Sequence, residues 1–263
     1  MTFEEEEYKK LNEHDVLWKY LDFHKFVDLI SNKTLHFTRL DQFEDPFEGI
    51  SKRILTGMKY WSQPLILDQE SRLTEKAINH NNNQAKKIKE DYQKEKNEQK
   101  NKFVNCWVKL DRESMAMWDL YSNSNSIAIL INGKKFIENL RLITENQKAI
   151  PSDNSFIVGN VSYEDKYLPP VIVDNDSTVK SHTFIKDVTF IHENEYRLAI
   201  LSPNNLLDNN PKFHKLNLYD GFFDDIVIVC HPKMEDWKFK NIECICKKFH
   251  LNPPRKSEIK LNF

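Results

Sequence analysis

Glycine is scarce in this chain, with five among 263 residues. A loop that cradles phosphates needs glycines at fixed offsets, and neither a Walker pattern nor a dinucleotide fingerprint occurs. The four cysteines show no disulfide-framework spacing, so the expected setting is a reducing cytoplasm. An excess of one charge is missing too. The 38 basic residues stand against 40 acidic ones, so no global field draws the chain to nucleic acid or membrane, although a local basic patch stays open. Met1 to Lys10 is acidic and polar, unlike a secretory leader, and no apolar run reaches the length of a membrane span. There is no internal repeat. Present instead are 40% hydrophobic and 12% aromatic residues, enough for a sizeable core in one large or two small domains.

Residues 1–13 read as a polar lead-in. Val16 to Tyr20 reads as a short strand, and Asp22 as the N-cap of a helix that carries Phe23, Phe26, Val27, Leu29 and Ile30 at helical spacing. Asn32-Lys33 ends that helix, and Thr34 to Thr38 alternates as a strand. Asp45-Pro46 signals a turn, and Ile50 to Tyr60 reads as helix. Residues 69–102 are mostly Lys, Glu, Gln and Asn, with apolar positions too sparse for a buried helix. They predict a solvated helix or helical hairpin, interrupted near His80-Asn81-Asn82-Asn83, inserted into a single α+β domain over 14–263. A charged solvated face is the plainer reading of this insertion, and a surface for a protein partner the sharper one. Phe103 to Val108 reads as strand, Ser114 to Tyr121 as a short helix, and Ser126 to Ile131 and Asn160 to Tyr163 as strands. A loop-rich stretch runs to Thr178, Val179 to Thr189 reads as helix, and Tyr196 to Ser202 as strand. Asp224 to Cys230 is a strongly apolar strand, Pro232 to His250 a helix, and Glu258 to Asn262 a closing strand. Helices and strands mix without regular alternation, which predicts α+β with a mixed sheet and flanking helices.

Charged residues recur inside apolar, aromatic segments at three places. A charge among core-type residues is expensive unless paired, so such positions tend to mark sites. In the first place Arg39, Asp45 and Glu48 surround Phe43 and Phe47. The arginine suits bidentate binding of phosphate or carboxylate, while Asp45 serves equally as the cap of a helix starting at Pro46. In the second, Trp118 and Tyr121 stand three apart on a short helix and share a face. They suit stacking on a base or ribose, and also suit plain core packing. In the third, Glu193, Glu195 and Arg197 project to one face of an extended segment, with Tyr196 and Leu198 on the core side. Paired carboxylates push one pKa up and the arginine pulls it down. That arrangement fits general-base work or stabilisation of a cationic transition state, and also a surface ion-pair cluster. Cys244, Cys246 and His250 lie on a predicted helix at the wrong spacing for a zinc knuckle, so buried free cysteines are expected and no metal site. Cys106 is expected in the core.

These segments together resemble the bacterial family catalogued as domain of unknown function 2971. The resemblance rests on Tyr20, Phe37 through Phe43-Glu44-Asp45-Pro46-Phe47-Glu48, Cys106-Trp107 with Met117-Trp118-Asp119-Leu120-Tyr121, and Glu193-Asn194-Glu195-Tyr196-Arg197, in that order. It covers roughly residues 18–230. Glu44 replaces the usual Asn before Asp-Pro, and Asn125 or Ser126 a usual Gly. Members look like accessory and defence genes. More distantly, Phe103-Val104-Asn105-Cys106-Trp107 with Ser114-Met115, and Glu195-Tyr196-Arg197-Leu198, resemble DarT-like ADP-ribosyltransferases. That resemblance implies an ADP-ribosyltransferase-like fold acting on NAD. Glu195 would be the catalytic glutamate, with Glu193 orienting a nucleic-acid or protein acceptor. Lys19, Tyr20 and Arg39 would hold the NAD phosphates and carboxamide. The implied role is a toxin or phage-defence effector. Two other classes stay open: a non-enzymatic nucleotide-sensing or interaction module that uses 69–102, and a metal-dependent nuclease built from Asp45, Glu48, Glu193 and Glu195.

Overall fold

A computed structural model describes residues 3–5, 11–12, 14–61, 75–146, 155–165, 182–202 and 211–260. Twelve strands are formed in chain order: β1 (Phe3–Glu5), β2 (Val16–Leu21), β3 (Thr34–Arg39), β4 (Lys102–Lys109), β5 (Ile127–Asn132), β6 (Ser155–Asn160), β7 (Ser162–Glu164), β8 (Ile185–Asp187), β9 (Glu195–Leu201), β10 (Phe213–Asn217), β11 (Ile226–Cys230) and β12 (Arg255–Lys256). Among the described residues the longer α-helices are α1 (Phe23–Asn32), α2 (Lys52–Trp61), α3 (Glu75–Glu98), α4 (Met115–Tyr121), α5 (Gly133–Asn146) and α6 (Asp236–Lys248). The class is α+β with a mixed sheet and flanking helices.

Among the described residues the main sheet has ten strands. Eight run in the order β1-β6-β9-β4-β2-β5-β11-β12, and β3, itself paired with β10, joins at β4. β4 is the branch point. One of its edges pairs with β9 along nearly its whole length, from Lys102 opposite Leu201 to Val108 opposite Glu195. The other edge is divided. β3 takes the start of β4 at Phe103 and Val104, and β2 takes the end at Val108 and Lys109. Between them, Asn105 to Trp107 faces no strand on that edge. β2 and β3 diverge there, and two side chains fill the fork. Lys19 Nζ donates to the Cys106 carbonyl at 2.8 Å, and Asn105 Nδ2 donates to the His36 carbonyl at 2.7 Å.

Both faces of the sheet are covered, which explains why β9 is buried at nearly every position. On one face α1, α5 and α6 pack Phe26, Ile30, Phe136, Leu140 and Ile242 against Leu17, Trp107, Ile129, Tyr196 and Leu198. On the other, α4 places Met117 and Trp118 on Trp18, Val108 and Val229. Beside it, Leu40 and Phe184 cover Val104, Ile157 and Ala199. α1 begins as its sequence demands, with Asp22 Oδ1 accepting from the Lys25 amide at 2.8 Å. It stops at Lys33, which adopts a left-handed conformation.

The polar stretch before β4 departs from its sequence reading. α3 is one unbroken helix through His80–Asn83, and its later turns pack against α2. Glu95 accepts from the Ser51 amide and hydroxyl at 2.7 and 2.8 Å, Arg53 meets Asp91 at 2.9 Å, and Ile88 is buried. The asparagines fail to break it because each costs a helix only a few tenths of a kcal/mol and no Pro or Gly stands among them. Residues 69–74 lie outside the described residues, as do the loop-rich stretch to Thr178 and 179–181. Of the expected helix over 179–189, His182 is helical, and from 183 on it is replaced by a turn, β8 and a 3-10 turn over Val188–Glu193. The single strand expected over Asn160–Tyr163 is two strands, broken where the Val161 amide bonds the Glu195 carbonyl at 2.9 Å. The closing strand expected at 258–262 is not formed over 258–260; β12 precedes it. β1, α5 and β10 fall where no element was expected.

Candidate active site

β9 opens at Glu195 and carries Arg197 two residues on, so both side chains leave one face while Tyr196 and Leu198 enter the core behind the sheet. Glu193 ends the preceding 3-10 turn, and Asn194 takes a left-handed conformation at φ 40° that turns the chain into the strand. The face is not a surface. Glu193, Glu195 and Arg197 are 3%, 7% and 0% exposed, which rules out the surface ion-pair cluster that the sequence also allowed.

Arg197 organises the centre. Its Nε and Nη2 hold Glu195 Oε2 at 2.7 and 2.6 Å. Its Nη1 donates to Glu48 Oε1 at 2.8 Å and to the Thr183 carbonyl at 2.7 Å. Lys186, on β8, pairs with Glu193 and lies 3.6 Å from Glu195 Oε1. The Tyr121 hydroxyl donates to the other oxygen of Glu193. Tyr163 accepts from the Glu195 amide at 2.8 Å. Three carboxylates therefore share two cations, an arrangement that keeps buried charge paired.

The two glutamates are driven apart in acidity. Burial raises Glu195, but the Arg197 guanidinium and Lys186 outweigh it and leave its pKa below the ordinary value. Burial also raises Glu193, the adjacent Glu195 charge adds to that, and Lys186 and Tyr121 only partly offset them, so its pKa ends above the ordinary value. Such a split gives one carboxylate that stays ionised and one that can carry a proton. Both glutamates line a cavity of about 110 Å³ with Trp18, Lys19, Tyr20, Cys106, Met117 and Tyr121. Burial pushes the Cys106 thiol up to about 12, with the Glu195 charge as the second cause. It is therefore a thiol near neutrality and no nucleophile. Lys19 and Tyr20 also line a larger groove of about 620 Å³ beside the cavity, whose walls include Lys25, His36, Lys212 and Phe213.

Of the residues singled out in the sequence, Glu193, Glu195, Lys19, Tyr20 and Tyr121 meet at this cavity, with Arg197 directly behind. Glu48 joins them through Arg197, while Arg39, Asp45 and Trp118 do not line the cavity. The Arg39 guanidinium holds Asp41 at 2.6 and 2.9 Å and the Pro211 carbonyl at 3.3 Å. Asp45 accepts from the Phe47 amide at 2.9 Å. It forms a tight turn and caps no helix at Pro46, since α2 starts at Lys52. Glu48 is fully buried on Arg197. Trp118 is fully buried, its ring edge-on to Tyr20 at 4.8 Å, while Tyr121 is 48% exposed, so these two do not form one stacking platform. Among the described residues no three of His, Cys, Asp and Glu are placed to hold a metal ion. On α6 Cys246 turns inward and Cys244 outward.

Lys186 and Tyr163 were not foreseen. Lys186 sits in the segment misread as helix, and the only sequence signal for it was a surplus of acids over cations in the Glu-x-Glu-x-Arg run. Among the described residues no helix is long and apolar enough to cross a membrane. Comparison of the chain with protein families, curated proteins and solved structures gives no match.

Proposed function

We propose that the chain is an ADP-ribosyltransferase-like enzyme that takes NAD as donor and breaks the bond between nicotinamide and ribose. The observation that carries this reading is the split glutamate pair on the wall of a small cavity that adjoins a larger, lysine-bearing groove. Loss of nicotinamide leaves positive charge on the ribose. Glu195, ionised and fixed by Arg197 before the substrate arrives, would stabilise that charge without reorganising. Glu193 would accept the acceptor's proton, a task suited to a carboxyl raised toward the working pH. A cavity of about 110 Å³ has room for a ring or one face of a sugar. The rest of a dinucleotide would lie in the groove past Lys19 and Tyr20. The acceptor, nucleic acid or protein, and a role as toxin or phage-defence effector rest on the family resemblance, and a cytoplasmic setting on the cysteine pattern.

The test is nicotinamide release from NAD by wild type and Glu195→Gln, with and without cellular nucleic acid and protein. It is run at a temperature where circular dichroism shows both folded. Release should fall by at least about a hundredfold in the variant, as for loss of a well-placed charge-stabilising group. Full release by folded Glu195→Gln would overturn the assignment.

One observation favours a second reading, a nucleotide-sensing module. Glu195 Oε2 is already held twice by Arg197, which spends much of its charge on the protein itself. A rise in melting temperature with ADP-ribose, with no nicotinamide release under any condition, would support the module instead.

A further inference from the structure

Lys19 differs from the other cavity residues in what holds it. Its Nζ donates to two neutral oxygens, the Cys106 carbonyl at 2.8 Å and Asn105 Oδ1 at 3.3 Å. It lies 5.5 Å from the centre of the Trp107 ring. It reaches this position because β2 and β3 diverge from β4, which puts the amine in the fork between the 110 Å³ cavity and the larger groove. With two N–H groups committed to these oxygens, a neutral amine keeps one tetrahedral position for its lone pair. Glu193, the carboxyl that can carry a proton, lines the same small cavity.

We propose that Lys19 is a carbonyl-reactive lysine, forming an imine with the C1 aldehyde of a ribose freed in this cavity. The identity of the sugar rests on the NAD reading above; the amine's reactivity rests on its own geometry. The lone pair of Nζ adds to the aldehyde carbon, and one N–H proton passes to the former carbonyl oxygen, giving a carbinolamine. Glu193 gives a proton to that hydroxyl, the C–O bond breaks and water leaves. The nitrogen then returns its remaining proton to Glu193. The balance is amine plus aldehyde to imine plus water, with no oxidant or reductant. Burial supports the first step by lowering the Lys19 pKa to about 8, which supplies free amine where an ordinary lysine has almost none. Lys102 is also depressed by burial but does not line this cavity.

The experiment uses preformed ADP-ribose, whose C1 hydroxyl opens to the aldehyde, with the intact protein and sodium cyanoborohydride at pH 8, followed by peptide mapping. The expected result is a reduced adduct at Lys19 enriched at least about tenfold over exposed lysines away from the groove, such as Lys240, because its amine is far more often neutral. The adduct should be absent from Lys19→Arg, checked for folding by its melting curve. If that variant does not fold, the wild-type map decides alone. Labelling of Lys19 no greater than that of exposed lysines overturns the proposal. An adduct without nicotinamide release would sink the NAD reading and leave the lysine standing, and release without an adduct would do the reverse.

Discussion

Arg197 is a demanding residue to bury. It is 0% exposed, and it is tolerated because Glu195 and Glu48 both reach it, which raises its own pKa well above the ordinary value despite burial. Removing one partner leaves charge in a dry place. Glu195→Gln is therefore expected to cost about 3 kcal/mol of stability, against about 1 kcal/mol for Asp22→Ala at the α1 cap. Urea unfolding of the two variants checks the ratio; equal small losses would show the arginine to be better solvated than its burial implies. The same burial means that a stability loss in Glu195→Gln cannot separate an enzyme from a binding module, so catalysis has to be read at a temperature where the variant is folded. The Glu-x-Glu-x-Arg run was legible as a converging triad because strand period alone puts residues 195 and 197 on one face. That the face is roofed was not legible. The roof comes from Glu48, Thr183 and Lys186, each far off in sequence or in a segment whose period suggested helix.

At the scale of elements, α2 and α3 show how a nearly all-polar helix is held. A Cβ placed on Gly57 would come within 2.7 Å of Ile88 Cδ1, so the glycine admits the one isoleucine that α3 buries there. Ile88→Ala is expected to lose about 2–4 kcal/mol. Gly57→Ala should destabilise the wild type, yet stabilise the Ile88→Ala background, where only the gain of about 1 kcal/mol in helix propensity remains. A four-member cycle by thermal melting measures this, and additive effects would show that the two residues do not touch. The charged surface of α3 was legible and its anchorage was not, since Ile88, Asp91 and Glu95 look like any solvated face until α2 lies beside them. α5 was missed although Phe136, Leu140 and Ile143 carry helical spacing; its start at Gly133 concealed it. β10 was missed because Leu216 is its only buried residue and its pairing with β3 supplies what its own pattern lacks.

For the whole molecule, the pH dependence of stability follows from groups of opposite sign. Glu195, Asp22, Asp28 and Asp41 have folded pKa values below their ordinary ones. Each stabilises above its unfolded pKa, and the benefit is lost as pH falls through the folded value. Glu193, raised in the fold, opposes them. Lys19, lowered to about 8 from 10.5, binds fewer protons folded than unfolded, so it adds stability as pH rises across that interval. Chemical denaturation from pH 4 to 8 should show stability climbing through the acid range, and a flat profile there would mean that the paired carboxylates titrate alike folded and unfolded. Above pH 8 the buried Cys106, Cys230 and Cys246 thiols, raised in the fold, work against the Lys19 contribution. The α+β class was legible from the mixture of periods. The strand order was not, because every pairing of the main sheet joins segments distant in sequence, as when β3 meets β10, and no local pattern encodes such partners.

The fork in β4 has a further consequence for association between chains. An unpaired strand edge invites a stranger's backbone, and folded proteins blunt exposed edges with lysines set against them. Here such an edge lies near the middle of a ten-stranded sheet, three residues long, and Lys19 occupies it with its ammonium on the Cys106 carbonyl. The side chain that meets the cavity is also the stopper of an interior edge. Any ligand that draws Lys19 away uncovers a short length of bare backbone at the heart of the protein.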